Sequence, residues 1–372
     1  MKVFFLTTLF LVFIKISYLS ARSDLTPDEL KRVRNVTALT KDFHKPERSE
    51  SLSGGAGTVE KTGKNAFSHH FTTLSYEDRQ NFLIGNGLFR KLWVAAPAST
   101  VSSDGLGPLY NARACQSCHI KDGKGHLPID EKPLSLVVKT GVYEKLKLIP
   151  DPIYGKQFQF FAVPGLSSEV SGIILKTDYK KVFLNNYNYK LKKVSLNINQ
   201  LNYGNLNKKS SLSLRVSPQV YGAGLLEAIE ESDLLKKHDP DDLDSDGVTG
   251  IARQVLDEKG IKKVGRFGIR ASTPNLFVQS GVAFMHDMGI SNVVGTNVYG
   301  DCTINQKECF KFASGVNSND KSETSKEVLN SIVFYLSSLS PPKRRNVSNK
   351  EVLEGKEIFY KAKCTSCHTP KY

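Results

Sequence analysis

Two stretches of the sequence share one pattern: Cys115-Gln116-Ser117-Cys118-His119 and Cys364-Thr365-Ser366-Cys367-His368. Two residues between the cysteines let both sulfur atoms reach the two vinyl groups of one porphyrin, and the next histidine then lies below the iron. A zinc site would need two further ligands at matched spacing, and a thioredoxin-like pair does not require the histidine. The pattern therefore predicts two covalently bound haem c groups, attached through Cys115, Cys118, Cys364 and Cys367, with His119 and His368 as iron ligands.

A helical segment is predicted before each motif. Ser75 followed three residues later by Asp78 is typical of a helix start, and apolar residues at helical spacing follow over 82–89. Before the second motif, Ser348 is the predicted N-cap of a helix over 349–361. These lead-in helices indicate cytochrome c-like helical domains.

Composition separates the sequence into successive regions. We predict a polar N-terminal arm over 22–70 and a first haem c domain over 71–130. A β-rich insertion is predicted over 131–220, where apolar and polar residues alternate between Pro/Gly turns. A region of helices and loops follows over 221–345, and 346–372 begins the second haem c domain. The expected fold class is mixed and mainly α, with the β-rich insertion between the two haem domains.

The overall composition limits the kind of protein and its partners. Of the 372 residues, 40% are hydrophobic and 24% charged, which excludes a disordered chain or a polytopic membrane protein. The formal net charge is +14, but the lysines are dispersed and no long basic run occurs, so no nucleic-acid partner is predicted. Two interpretations of the charge stay open: a solvated lysine-rich surface, or docking with an acidic redox partner.

The N-terminus predicts export. Lys2 precedes an apolar run over 3–14, which suits the core of a signal peptide and is too short to span a bilayer. We predict a signal peptide over 1–21 and a periplasmic location. Lys15 near the end of the apolar run leaves an uncleaved N-terminal anchor as the alternative. No later stretch is long and apolar enough for a membrane span, so none is expected after processing.

An aspartate-rich run has the spacing of a calcium loop: Asp242, Asp244, Asp246 and Gly247. The twelfth position is Arg253 instead of the glutamate of an EF-hand, so we expect an isolated calcium loop. Asp239 or Asp241 is then the candidate for completing the ligand set. The alternative is an Asx-rich turn that caps the next segment.

Further segments of the sequence resemble a known family. The stretch DGLGPLYNAR over 104–113 runs directly into the first motif. Other matching segments lie at 52–55, 65–68, 93–100, 121–125, 154–155, 222–229, 239–250, 265–268, 287–290 and 341–345. Together with the two motifs, they make residues 50–372 resemble the bacterial di-haem oxidoreductase family, whose members are described as peroxidases and sometimes as thiol oxidoreductases.

The resemblance implies a function, and it bears on where the sequence ends. Proteins of this kind would be periplasmic di-haem c oxidoreductases that reduce hydrogen peroxide with electrons from a small donor protein of the cytochrome or cupredoxin type. Family members continue well beyond the second motif with a region that completes the second haem pocket. We therefore expect the sequence to be a C-terminally truncated copy.

A peroxidase needs one iron with an open position and a group that moves a proton between the peroxide oxygens. Met285 and Met288 are the candidate distal ligands, with core residues of a short helix as the alternative interpretation. The weak catalytic candidates are His286, which lies between them, Glu227 in an apolar context, and Trp93, the single tryptophan. For Trp93, core packing is the alternative.

The remaining cysteines and two arginines carry further expectations. Cys302 and Cys309 are expected to form a disulfide, because the predicted compartment is oxidising and the spacing allows a small loop. A reactive dithiol at these positions is the alternative, and it would make the protein a thiol-linked oxidoreductase or sensor. Arg113 and Arg266 are candidates for pairing with haem propionates. A non-enzymatic electron carrier, with both irons six-coordinate, is the other alternative.

Overall fold

The computed structural model describes residues 24–128, 134–144, 147–316 and 321–372, so the predicted signal peptide over 1–21 lies outside the described residues. The described helices are α1 Pro27–Thr37, α2 Tyr76–Arg90, α3 Cys115–Cys118, α4 Ala223–Glu227, α5 Glu231–Leu235, α6 Leu276–Met288, α7 Lys326–Ser338 and α8 Lys350–Lys361. The strands are β1 Leu109–Tyr110, β2 Leu136–Glu144, β3 Lys147–Ile149, β4 Phe161–Ala162, β5 Ile173–Leu184, β6 Tyr187–Ile198, β7 Ser211–Val216, β8 Gln254–Leu256 and β9 Lys262–Val264.

The expectation of a mainly α fold is wrong. Of the described residues, 28% are helical and 19% lie in strands, with several small antiparallel sheets, so the fold is mixed without being mainly helical. The physical reason is that several helices are short: α3, α4 and α5 are single turns. Many of the regular elements are also joined by long segments of irregular backbone. The two longest strands, β5 and β6, have 12 residues each, which approaches the 15 residues of the longest described helix, α2.

The helical core is formed by α2, α6 and α7. The predicted N-cap Ser75 is confirmed, because its hydroxyl accepts a hydrogen bond from the Asp78 amide. Phe82 and Phe89 lie two turns apart on the same face of α2 and are buried against α7 beside Tyr335. Each buried phenylalanine contributes about 1.5–3 kcal/mol to this packing.

A glycine sets the distance between α2 and α7. A methyl group at Gly85 would overlap the Ser331 carbonyl oxygen and would lie 2.7 Å from Cβ of Tyr335. The absence of a side chain at this position therefore allows the two helix backbones to approach closely. Gly87, two residues later, faces open space.

Helix α6 brings its C-terminal end against the segment before the first motif. Asn275 caps its start by accepting from the Val278 amide, and Gly289 ends it in the left-handed conformation, at φ +67°. The amides of Asn111 and Ala112 both donate to the Asp287 carbonyl, at 2.8 and 3.0 Å. The last turn of α6 therefore fixes the chain that enters the first CxxCH motif.

A second core lies among the strands. β2 pairs antiparallel with β3 on one side and with β7 on the other, and Leu136 and Val138 of β2 are buried with Tyr154, Phe158 and Phe160. β5 and β6 form a separate two-stranded hairpin, and β8 pairs with β9. The short pair β1–β4 joins this region to the segment before the first motif, through Leu109 opposite Ala162.

The N-terminal region packs against α8, which leads into the second motif. Buried Glu50 binds both Lys356 of α8, at 2.7 Å, and Arg344, at 3.0 Å. Helix α8 begins one residue later than predicted, because the side chain of Asn349, and not that of Ser348, accepts a hydrogen bond at the helix start. Among the described residues, no helix combines the length and apolar character needed to cross a membrane.

Candidate functional site

The first motif forms one helical turn. Cys115 and Cys118 are the first and last residues of α3, so both side chains lie on the same side of the turn. Both thiols are free, and the hydroxyl of Ser217 donates to the Cys118 carbonyl at 2.6 Å. Loop residues that follow β7 therefore hold this turn in place.

His119 is held in one orientation. Its Nδ1 lies 2.7 Å from the Pro218 carbonyl oxygen, which can only accept, so Nδ1 carries the proton and Nε2 is left free to bind a metal. Burial lowers the pKa of His119 despite this carbonyl and the charge of Asp287, which act in the opposite direction. The neutral imidazole that results is the form that ligates iron.

The two thiols of the first motif are poor nucleophiles. Burial, reinforced by the negative charge of Asp287, raises the pKa of Cys115 and of Cys118 to about 12. Reactive cysteines of redox enzymes have lowered pKa values, because the thiolate is the attacking species. The raised pKa values therefore do not suit a catalytic dithiol at this motif.

An aromatic core adjoins the first motif. The Phe89 ring lies 6.2 Å from His119, and Cys115 packs against the core that contains Phe89, Trp93 and Phe284. Trp93 is buried and meets Phe284 edge to face at 5.8 Å, while the Lys91 ammonium lies 4.3 Å from the Trp93 ring centre. The site thus fits a covalently held haem: it offers two cysteines on one helical turn, a neutral histidine in a fixed orientation, and an apolar wall.

The second motif is more exposed. Its first residues form a single turn over Cys364–Ser366 directly after α8. Cys367 and His368 are exposed, and the Phe359 ring lies 5.9 Å from His368. The Lys237 ammonium donates to the Ser366 carbonyl at 3.2 Å, so the segment after α5 approaches this motif. The residue types fit a haem here as well, although the described residues enclose this histidine less than His119.

Comparison with protein families identifies the chain. A family model described as "Di-haem oxidoreductase, putative peroxidase" matches residues 48–161 and 173–372. The chain belongs to the di-haem oxidoreductase family. The comparison with curated proteins and the comparison with solved structures gave no significant match.

The predicted distal residues of this di-haem oxidoreductase lie at the end of α6. Met288 is buried in the helical core, and Met285 packs against Gly295. The His286 side chain points away from both methionines towards Asp301, because its Nδ1 is bound to the Asp301 carboxylate in a pair that is largely buried. The three residues are adjacent in sequence, but their side chains enter different surroundings.

A buried polar cluster surrounds His286, and the sequence did not reveal it. The Gln157 and Gln159 side chains both donate to the His286 carbonyl, at 2.7 and 2.8 Å. Gln157 also donates to the Asp287 carboxylate at 2.9 Å, which ties the cluster to the first motif. The Glu169 carboxylate accepts a hydrogen bond of 2.6 Å from the backbone amide of Gln159. A glutamine at every second position of a buried, otherwise aromatic stretch (Gln157-Phe158-Gln159-Phe160) was the available signal.

Glu169 is an unusual carboxyl group in this cluster. It is fully buried, and burial together with the charges of Asp301 and Asp151 holds its pKa well above the ordinary value. Hydrogen bonds from Gln306 and from the Gln159 amide offset only part of that effect. The protonated form is favoured, so this side chain is a carboxylic acid over a wider pH range than an exposed glutamate.

The aspartate-rich loop brings three carboxylates together. Oxygen atoms of Asp239, Asp242 and Asp244 lie within 4.8 Å of one another. Asp246 is outside this group, and its carboxylate accepts from the Val248 amide at 2.8 Å. The sequence analysis named Asp239 and Asp241 as candidates for completing the calcium ligand set. Asp239 belongs to the cluster, and Asp241 does not.

The other sequence candidates have structural contacts. The Glu227 carboxylate accepts from the Leu276 amide at 2.7 Å, at the start of α6. The Arg266 guanidinium donates to the carbonyls of Leu226, Glu227 and Ile229, and Arg113 donates to the Trp93 carbonyl at 2.9 Å. Cys302 and Cys309 are joined in a disulfide, with their Cα atoms 6.4 Å apart.

Proposed function

We propose that this di-haem oxidoreductase carries haem c at both CxxCH motifs and reduces hydrogen peroxide to water in an exported compartment. The reaction consumes two electrons and two protons for each peroxide, H2O2 + 2 e⁻ + 2 H⁺ → 2 H2O. A bound haem supplies an iron that exchanges electrons with a small donor protein and with peroxide. The observation that carries the proposal is the hydrogen bond between His119 Nδ1 and the Pro218 carbonyl, which leaves Nε2 free to bind a haem iron beside the two thiols of the motif.

In this proposal the chain around the first motif has two tasks. Pro218 and the last turn of α6 hold His119 and the cysteine turn in position, so His119 would present Nε2 to a bound haem iron in one fixed orientation. The apolar wall that includes Phe89 and Trp93 excludes water from that side of the site. Trp93 adjoins this site as part of the core, which supports a packing role.

A proton source is needed, and His286 remains our catalytic candidate. Its Nδ1 is bound to the Asp301 carboxylate, which is how a carboxylate orients an imidazole for acid–base work. The surrounding glutamines fix both the His286 backbone and the Asp287 side chain. His286 is therefore held rigidly in a cluster that is connected to the first motif.

The thiol-linked alternative is less favourable. Cys309 is fully buried and Cys302 is nearly so, which denies access to an attacking thiolate. We infer that this disulfide stabilises the loop over 302–309. The electron-carrier alternative makes the same use of both motifs and differs only in lacking an open iron position.

We also propose that Asp239, Asp242 and Asp244 hold calcium. Oxygen ligands from alternate carboxylates suit this hard cation, and the three residues converge in a short loop between α5 and β8. A cation would offset the repulsion among carboxylates held this close together.

Peroxide turnover tests the proposed function. Haem-matured protein is supplied with a reduced small cytochrome, and oxidation of that cytochrome is followed after hydrogen peroxide is added. We expect peroxide-dependent turnover that is retained in the double variant Cys302→Ser/Cys309→Ser and lost in Cys115→Ala/Cys118→Ala. Turnover that depends on Cys302 and Cys309 would favour the thiol-linked function, and no turnover with an intact haem complement would favour the electron carrier.

A further inference from the structure

The β5–β6 hairpin extends away from the body of the protein. Its strands pair residue by residue from Ile173 opposite Ile198 to Leu184 opposite Tyr187, and neither pairs with any other described strand. Only the base is anchored, where Ile173, Leu175 and Leu196 pack on the core of the β region. Beyond that base, nearly every residue is exposed.

The end of the hairpin is uncharged and mostly apolar or aromatic, with the asparagines Asn185 and Asn186 at its turn and a third at 188. Residues 182–189 read VFLNNYNY and contain no charged side chain. Side chains of directly opposite residues share a face, so Val182 lies beside Tyr189 and Leu184 beside Tyr187. Phe183 projects from the other face and is 67% exposed. We call these five residues the tip patch: Val182, Phe183, Leu184, Tyr187 and Tyr189.

A ring of positive charge lies directly behind the tip patch. Lysines occupy both strands and both faces, and we call them the lysine collar: Lys180, Lys181, Lys190, Lys192 and Lys193. The one acidic residue within the two strands is Asp178, which lies directly opposite Lys193 at the inner edge of the collar. From its tip towards its base, the hairpin therefore presents first an uncharged, mostly apolar layer and then a cationic layer.

The spacing of these layers matches the surface of an anionic bilayer. Three residues separate Lys181 from Leu184, which corresponds to about 10 Å along an extended strand. Interfacial segments bury their apolar side chains about 5–10 Å into the boundary between headgroups and acyl chains. Lysine side chains at the depth of the collar would then reach the lipid phosphates, while their methylene groups stay in the apolar layer.

We propose that the hairpin binds the protein to anionic lipid membranes by inserting the tip patch and placing the lysine collar on the phosphates. The tyrosines of the tip patch fit this assignment, because aromatic rings with a polar end are enriched at the membrane interface. An acidic protein partner with an apolar pocket is the other surface that would satisfy both layers, and the third outcome of the test below distinguishes it from a lipid surface. This inference is independent of the peroxidase activity.

Vesicle sedimentation tests the proposal directly. The haem-matured chain beginning at Arg22 is used, so that the apolar residues 3–14 cannot contribute. We expect it to bind vesicles of phosphatidylcholine mixed with phosphatidylglycerol, and to bind vesicles of phosphatidylcholine alone much more weakly. Raising the salt from about 0.1 M to about 1 M shortens the Debye length from about 10 Å to about 3 Å, and should weaken the binding.

Two variants separate the two layers. The tip variant Phe183→Ser/Leu184→Ser/Tyr187→Ser should bind the anionic vesicles about tenfold more weakly or worse. The collar variant Lys181→Gln/Lys190→Gln, whose positions lie opposite each other in the hairpin, should lose a similar factor and become less sensitive to salt, since three collar lysines remain.

Matched controls carry the same chemical changes elsewhere on the surface. Ile304→Ser removes another highly exposed apolar side chain, and Lys208→Gln/Lys209→Gln removes two exposed lysines outside the hairpin. Both controls should bind as the unmodified chain does. Haem content and the urea midpoint of each hairpin variant should be unchanged, because the mutated end of the hairpin contributes to neither core.

Three results would overturn the proposal. The unmodified chain could fail to sediment with anionic vesicles, or the tip variant could bind as well as the controls. In the third, no hairpin variant changes vesicle binding while the tip variant loses electron transfer from a reduced donor cytochrome. That result would assign the hairpin to a protein partner instead.

Discussion

Asp122 and Tyr335 join the first haem motif to the helical core. The Tyr335 hydroxyl on α7 donates a hydrogen bond of 2.7 Å to the Asp122 carboxylate, and both side chains are buried. Asp122 comes three residues after His119, and its backbone amide donates to the His119 carbonyl at 3.0 Å. The orientation of His119 is thus connected to α7 through a residue distant in sequence.

Replacing Tyr335 by phenylalanine should destabilise the protein by about 1–3 kcal/mol, because a buried carboxylate loses a partner. Burial already raises the pKa of Asp122, and the Tyr335 hydroxyl counteracts that rise. Urea unfolding of Tyr335→Phe measures the change, with the exposed Tyr76→Phe on α2 as the control. Equal midpoints for both variants would show that the Asp122–Tyr335 hydrogen bond contributes nothing.

The two glycines of α2 should respond in opposite directions to the same substitution. Gly85→Ala forces a methyl group against α7 and should cost about 1–3 kcal/mol. Gly87→Ala faces open space and should stabilise the helix by up to about 1 kcal/mol. Thermal unfolding of both variants checks the packing of α2 on α7. If Gly85→Ala is as stable as Gly87→Ala, the close approach of the two helices is wrong.

Glu169 should make stability depend on pH. Its pKa is raised in the folded state, so the folded protein keeps a proton that the unfolded chain releases above its ordinary value of 4.5. This contribution is therefore fully present at low pH and is lost as pH rises from 4.5 towards the folded-state pKa, by up to about 1.4 kcal/mol per pH unit.

Comparison of two glutamine variants isolates this contribution. Glu169→Gln should lower the free energy of unfolding at pH 5, and the difference from the unmodified protein should shrink as pH rises to 8. The exposed Glu308→Gln provides the matched control and should show no such trend. A constant difference across the range would mean that Glu169 is ionised in the folded protein.

Calcium binding should depend on the three clustered carboxylates. Asp242→Asn removes charge from the cluster and should weaken calcium affinity about tenfold or more, measured by titration calorimetry. Asp241→Asn changes an exposed aspartate in the same loop and should leave the affinity nearly unchanged. Similar affinities for both variants, or no calcium binding by the unmodified protein, would leave the loop as an acidic turn.

The sequence was most informative where the deciding interactions are local. The start of α2 at Ser75 and the convergence of Asp242 with Asp244 both depend on residues a few positions apart. The overall balance of helix and strand could not be derived in the same way, because motif and lead-in patterns say little about the long irregular connections. The partners of His119 and His286 were also inaccessible, since Pro218 and Gln159 lie far away in sequence and reach the site only through the fold.

A single-turnover experiment tests the central claim most directly. The haem-matured protein is half reduced, mixed with less than one equivalent of hydrogen peroxide, and followed by stopped-flow spectroscopy in the Soret band. The account predicts fast reoxidation, because each peroxide would take two electrons from reduced haem and leave two water molecules. A low-spin spectrum that stays unchanged over seconds would contradict peroxide reduction and assign the protein to electron transfer.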